Sequence, residues 1–274
     1  MSMNQSVLIC DQVNPVLNEI LEKNGLQITY EPEITAEQIL EKIENFEIII
    51  VRSRTKITKD MIEKANKCQI IARVGVGLDN IDQVAAKEKN IRVINAVEGA
   101  MNAVAELVIG LMLSLAREIP RADREVRNGN WIKKELMGTE LRGKYLGIVG
   151  LGNIGKRLGR LARALNMNII GYDVVPIDEE FSSEVGLMKA DLGTLLSSSD
   201  YVSLHVPLLD STKHLINAEK MSTMKNTSRI INTSRGRVID EEALYEFLKD
   251  GKLGGAALDV FEVEPATSNK LASL

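Results

Sequence analysis

What the chain has little of narrows its class before any motif is read. Only two of its 274 residues are cysteine, Cys10 and Cys68, and each sits in or beside an apolar run. Two such thiols, without ligand-like spacing, argue against a disulfide framework and a metal site, and they suit a reducing compartment. Histidine also occurs only twice, as His205 and His214. There is no excess of basic charge: the net charge is −4, so the footprint expected of a nucleic-acid partner is missing. The most apolar stretch, AVAELVIGLMLSLA (103–116), is interrupted by Glu106. It is shorter than the roughly 20 residues that span a bilayer and reads as a buried helix. The start, MSMNQSVLICDQ, lacks the cationic, apolar and cleavage regions of a signal peptide. The expectation is a cytoplasmic protein with neither a nucleic acid nor a membrane as partner.

What is present is core-forming material, with 45% apolar and 26% charged residues, in a chain long enough for two ordinary domains. Short apolar runs predict strands at 7–10, 28–30, 47–51, 69–74 and 92–95. Segments with apolar residues three and four apart lie between them. This is βαβ alternation, which implies parallel sheets covered on both faces. It returns after residue 144, with strands predicted at 146–150, 168–172, 201–206, 229–233 and 255–260, and helices including 153–166, 217–224 and 240–250. A long helical region, about 102–128, joins the halves and ends at RNGN. The fold class is therefore α/β, with two doubly wound parallel-sheet domains, 1–98 and 99–274.

GLGNIG places Gly150, Gly152 and Gly155 between a predicted strand and a predicted helix. The first glycine allows a tight turn, the second lets backbone approach a pyrophosphate, and the third lets helix and strand pack closely. Asp173 ends the next strand, about 20 residues on, where an acid grips the ribose hydroxyls of NAD. No arginine or lysine follows in DVVPIDEE to receive the 2′-phosphate of NADP. The pattern is that of a Rossmann domain for NAD.

Ligands of open α/β sheets bind outside the carboxyl ends of the strands. Those ends carry HVP (205–207), NTSRG (232–236) and Asp259 in the second half. Arg235 can hold a substrate carboxylate through two parallel hydrogen bonds. His205 reads as structural or adenine-side rather than as a base, and His214 as a solvated loop residue. In the first half the strand ends carry RSRTK (52–56) and RVGVGLDNID (73–82). Backbone N–H groups of that glycine-rich turn could bind an anion, with Arg52, Arg54, Lys56 and Arg73 adding positive charge.

GVGLDNID, VAELVIGLML, WIKKELMGTELRGKYLGIVGLGNIG, SLHVPLLDSTKHLI, INTSRGRVIDEEAL and GAALDVFEVEP occur in this order. Over nearly its whole length the chain resembles the D-isomer-specific 2-hydroxyacid dehydrogenases. The resemblance implies a flavodoxin-like substrate domain (1–98) into which a Rossmann NAD-binding domain (99–274) is inserted, with the active cleft between them. It implies NAD contacts from Gly150, Gly152, Asn153, Ile154, Gly155, Asp173, Val206, Thr233, Ser234, Arg235 and Asp259. It implies substrate contacts from Arg52, Ser53, Val76, Gly77 and Arg235, no metal, and a homodimer. Arg235 matches the arginine that binds the substrate carboxylate, and Glu264 the carboxylate that supports a catalytic histidine. That histidine belongs to a Pro-His-x-Gly motif, which the sequence does not contain before it stops at ATSNKLASL. The expectation is a piece of a longer protein, whose substrate domain is completed by a C-terminal segment. Within the family the motifs are nearest those of enzymes that oxidise D-3-phosphoglycerate to 3-phosphohydroxypyruvate in serine biosynthesis. Ala100, Ala103 and Val76 depart from that pattern. The alternatives are a glyoxylate or hydroxypyruvate reductase, and an NAD-binding corepressor, which would not need Arg235 and Glu264.

Overall fold

The computed structural model describes residues 5–274, and the chain divides into two compact units, Met1–Ala100 and Met101–Leu274. The first unit runs β1 (Ser6–Ile9), α1 (Pro15–Lys23), β2 (Gln27–Tyr30), α2 (Ala36–Lys42), β3 (Ile48–Val51), α3 (Lys59–Lys64), β4 (Ile70–Arg73), α4 (Gln83–Glu88) and β5 (Arg92–Asn95). Asn14, Thr35, Thr58 and Asp82 cap the four helices by accepting from first-turn N–H groups, which satisfies donors that a helix start leaves open. The sheet order is β2-β1-β3-β4-β5, with every pairing parallel. This is the flavodoxin-like order. Alternate residues of the central strands feed two core layers. Leu8, Ile49 and Ile71 pack with Ile39 and Ile62, while Val7, Ile9 and Ile50 pack with Val13. Both cysteines lie in the first layer. Burial pushes the thiol of Cys10 up to about 12 and that of Cys68 up to about 11, so both are inert at neutral pH.

The second unit contains α5 (Val97–Arg117, in the unit from Met101 on), α6 (Ile119–Arg127), β6 (Tyr145–Val149), α7 (Asn153–Ala164), β7 (Asn168–Tyr172), α8 (Glu179–Val185), β8 (Met188–Lys189), α9 (Leu192–Ser198), β9 (Tyr201–Leu204), α10 (Ala218–Ser222), β10 (Arg229–Asn232), α11 (Glu241–Lys249) and β11 (Gly255–Leu258). Its sheet order, β11-β10-β9-β6-β7-β8, is all parallel. Read along the sheet it is the Rossmann order, which reverses direction between β6 and β9.

Two expectations about the joining region need correction. It is two helices, broken at Glu118, whose φ is 50°. Pro120 follows the break and has no N–H to return to Ala116. The Ala116 carbonyl accepts from Thr139 N instead, at 2.8 Å. Nor is 103–116 buried all round. Ala105, Val108, Met112 and Ala116 form a buried stripe at helical spacing, while Leu107 and Leu113 remain 40% and 38% exposed. By length and composition Gly99–Arg117 could cross a membrane; here its buried stripe joins the core beneath β6.

The start of α7 is packed without space for a side chain. A Cβ on Gly155 would collide with the carbonyl oxygen of Gly150, and behind it lies Ile148. The obstacle is backbone, so helix and strand would have to separate. Gly155→Ala is expected to lower unfolding free energy by at least the roughly 1–3 kcal/mol typical of overpacking. Urea denaturation of the two proteins checks this.

Candidate functional site

The turn from β6 into α7 is built from small residues. Gly150 has φ +93°, where a side chain is strained, and a Cβ there would stand 2.7 Å from the His205 carbonyl oxygen and 3.0 Å from Val206 Cγ1. The strand ends that flank the reversal of order, β6 and β9, therefore touch at Gly150. Gly152 caps α7 without a side chain, and a Cβ on it would meet nothing within 4 Å. Asn153, Ile154 and Gly155 form the first turn of this 12-residue helix. Their N–H groups face the positive end of the helix dipole, a ready site for phosphate oxygens.

Asp173 follows β7 and fastens the glycine turn. Its Oδ2 accepts from Leu151 N at 2.6 Å and its Oδ1 from Val175 N at 3.0 Å. A carboxylate has lone pairs beyond these two for ribose hydroxyls. Beside it opens a cavity of about 520 Å³, lined by Asp173, Val175, Ile177, Glu179, Lys189 and Asp191. Lys189 is a cation that the local sequence after Asp173 does not reveal, because it arrives on β8. It is already paired with Glu179.

Beyond β10 a second turn is organised by Asn232, only 1% exposed. Its Oδ1 accepts from Ser234 N and Oγ, at 3.0 and 2.8 Å, and its Nδ2 donates to Arg235 O at 2.9 Å. Arg235 Nη1 donates to Ser234 O. Thr233 Oγ1 is buried without a hydrogen-bond partner. Such an orphan is costly unless a ligand satisfies it. The chain after β11 returns across this turn: Asp259 N donates to Asn232 O at 3.0 Å, and Gly236 leaves no room for a Cβ beneath the Phe261–Glu262 backbone. The turn that carries Glu264 thus lies alongside Arg235. Glu264 is exposed, and its Oε1 accepts from Phe261 N at 3.0 Å.

In the first unit Arg52 and Ser53 follow β3 and are exposed, while Val76 and Gly77 follow β4 and are half-buried. Ser53 Oγ accepts from Arg73 Nη2 at 3.3 Å, and Val76 O from Asn95 Nδ2 at 2.5 Å. Arg54, read from sequence as added positive charge, is a structural tie. It donates to the carbonyls of Cys10, Pro32 and Ile34 and pairs with Asp11 at 3.1 Å.

His214 is not a solvated loop residue. It is half-buried, with Nε2 3.1 Å from Glu262 Oε1. His205 is structural: its Nε2 lies 2.9 Å from Ser203 Oγ, and burial lowers its pKa to about 4. An imidazole with so low a pKa is a weak base at neutral pH.

The residues of the second unit fit a dinucleotide. Gly152 leaves open space above a helix N-terminus, the Asp173 carboxylate stands at the next strand, and an unsatisfied Thr233 hydroxyl stands beyond β10.

The depressed pKa of His205 has a measurable consequence. Between about pH 6.5 and 4 the unfolded chain takes up a proton that the fold refuses, so stability falls as pH falls through that window. The size is about 3.4 kcal/mol at most. His205→Gln should remove that share of the pH dependence, seen by comparing urea midpoints at pH 7 and pH 4.5. An unchanged dependence would contradict the assignment.

Residues 109–274 match the family model for the D-isomer specific 2-hydroxyacid dehydrogenase, NAD binding domain. The chain is 45% identical over 269 residues to a D-3-phosphoglycerate dehydrogenase of Methanocaldococcus jannaschii, covering 98% of this chain and 51% of that protein. It is 46% identical over 258 residues to a hydroxypyruvate reductase of Thermotoga maritima, covering 93% and 83%. The crystal structure of a glyoxylate reductase from Paecilomyes thermophila superposes with a TM-score of 0.91 at 30% identity, covering 99% and 86%. The chain spans about half the length of the D-3-phosphoglycerate dehydrogenases that it matches. With over half its residues under the domain model and such identity to a relative covered for 83% of its length, the chain belongs to the D-isomer specific 2-hydroxyacid dehydrogenase family and carries that family's NAD-binding domain.

Proposed function

We propose that this protein oxidises D-3-phosphoglycerate to 3-phosphohydroxypyruvate, with NAD as the acceptor. The observation that carries the reading is the placement of arginines at strand ends in each unit. Arg235 stands at the carboxyl end of β10, and Arg52 and Arg73, with Ser53 against Arg73, stand at the carboxyl ends of β3 and β4. A substrate with a carboxylate at one end and a phosphate at the other needs two such holders, whereas an unphosphorylated acid needs one. The likeness to D-3-phosphoglycerate dehydrogenases over 98% of the chain supports the same reading. A second reading, reduction of hydroxypyruvate or glyoxylate, is favoured by the likeness to the Thermotoga maritima enzyme, which the chain covers for 83%.

Bound NAD supplies the hydride acceptor. Gly150, Gly152 and the first turn of α7 receive the pyrophosphate, Asp173 the adenosine ribose, and Val206, Thr233, Ser234 and Asp259 the remainder of the cofactor. Arg235 clamps the substrate carboxylate and so orients C2. Val76 and Gly77 contribute to the substrate side together with Arg52 and Ser53. Glu264 provides a carboxylate next to that clamp, where it stabilises the protonated form of a general base. A homodimer is part of the proposal. Leu107 and Leu113 on α5, with Ile119 and Val126 on α6, leave apolar surface open to a second copy.

The preference for NAD over NADP is assigned to Asp173, since the nearby Lys189 is neutralised by Glu179. Fluorescence titration should show that Asp173→Ala weakens NAD about tenfold and narrows the preference, the loss of one charged hydrogen-bond partner. Equal affinity of the unaltered chain for both cofactors would sink this assignment. Arg235→Ala, made in a chain that also carries the Pro-His-x-Gly histidine, should raise KM for D-3-phosphoglycerate and lower kcat together, cutting kcat/KM by about 10²-fold or more, because the clamp both binds and orients. NADH formation at alkaline pH is the measurement, and an unchanged KM would contradict the role.

A further inference from the structure

The sheet of the first unit reverses its order between β1 and β3, so a ligand crevice is expected outside the carboxyl ends of those two strands. A cavity of about 290 Å³ lies there, lined in part by Asp11, Gln12, Arg52 and Ser53. Asp11 follows β1 and is only 2% exposed. Its carboxylate accepts from Arg52 N at 2.5 Å, from Thr55 N at 3.3 Å and from Thr55 Oγ1 at 2.8 Å. Asn80, 8% exposed, comes from the loop after β4. Its Nδ2 donates to Arg52 O and Thr55 O, both at 2.7 Å. Its Oδ1 is buried without a hydrogen-bond partner, so the amide is held by the two bonds of its nitrogen.

Two buried side chains therefore satisfy both peptide groups of Arg52 and both of Thr55. One supplies only acceptors and the other uses only its donors. The backbone of the 52–55 loop is closed at its two ends, and Ser53 and the Arg52 side chain project from it. The Ile57–Ile81 bridge, through Ile57 N to Asn80 O at 2.8 Å, ties the segment that follows to the Asn80 loop. A loop left to itself loses backbone freedom when it binds, and a loop already fixed does not.

We infer that Asp11 and Asn80 are positioning residues, which clamp the Arg52–Thr55 loop from opposite sides so that Arg52 and Ser53 meet the phosphate end of the substrate in one preset arrangement. The inference rests on the substrate reading proposed above. Neither residue touches substrate in this account; both act through the loop backbone.

Thr55→Val keeps the buried shape and removes the hydroxyl that Asp11 accepts, and Thr55→Ser restores the hydroxyl. Asn80→Ala removes the opposite jaw. Binding is read by calorimetry in dead-end complexes, D-3-phosphoglycerate with saturating NADH and hydroxypyruvate with saturating NAD. Thr55→Val and Asn80→Ala should each weaken D-3-phosphoglycerate about tenfold, the equivalent of about one hydrogen bond. Thr55→Ser should stay within about twofold, and NAD affinity should not change in any of the three. A loss of structure in the first unit would instead lower its urea midpoint, which is measured alongside, because NAD affinity reports on the second unit. Wild-type affinity for D-3-phosphoglycerate in folded Thr55→Val, or in folded Asn80→Ala should the valine variant fail to fold, overturns the clamp. If the unaltered chain binds only hydroxypyruvate, the phosphorylated-substrate reading falls. The same variants then test the clamp on that ligand, with an unchanged affinity overturning it. Binding of neither ligand by the unaltered chain removes both readings.

Discussion

Parallel strands deliver all their carboxyl ends to one edge of a sheet, and in this chain three of the loops at such an edge are held by polar side chains. Asn232 holds the Ser234–Arg235 turn beyond β10. Asp11 and Asn80 hold the Arg52–Thr55 turn beyond β3. Asp173 ties the glycine turn to the end of β7. Burying a polar group costs free energy unless it is hydrogen-bonded, and each of these side chains is bonded to backbone that would otherwise be free to move. The candidate chemistry thus rests on loops whose shape is determined by the sheet beneath them.

The glycine turn depends on the same edge in a different way. Gly150 is overlain by the carbonyl of His205 and the side chain of Val206, and Gly155 closes the helix onto the strand. Burial of the His205 imidazole at the end of β9 lowers its pKa to about 4.

Much of this was legible in the sequence, for local reasons. Strands 92–95 and 168–172 were expected where they occur, and most others within a residue or two. Short apolar runs between helical patterns have few other solutions. β8, two residues long, and the seven-residue helices α8 and α9 were not among the elements expected. GLGNIG and Asp173 were readable because a short glycine spacing and an acid at the end of the next strand form a recognisable pattern. Asp11 and Asn80 were not, since their bonds reach loops 25 to 44 residues away. Contacts 20 to 44 residues away likewise turned Arg54 from added positive charge into a tie between three carbonyls and a carboxylate. The exposed side of α5 has a different origin. Its composition is apolar all round, and composition alone does not say how much surface the rest of the unit has to offer it.

The proposal turns on whether the arginines beyond β3 and β4 receive a phosphate. The most direct measurement, in a chain that also carries the Pro-His-x-Gly histidine, compares initial rates of NADH oxidation with 3-phosphohydroxypyruvate and with hydroxypyruvate, which differ only by the phosphate. The account predicts a kcat/KM for the phosphorylated acid at least about tenfold higher, the contribution of one or more charged hydrogen bonds. Equal values, or a preference for hydroxypyruvate, would contradict it.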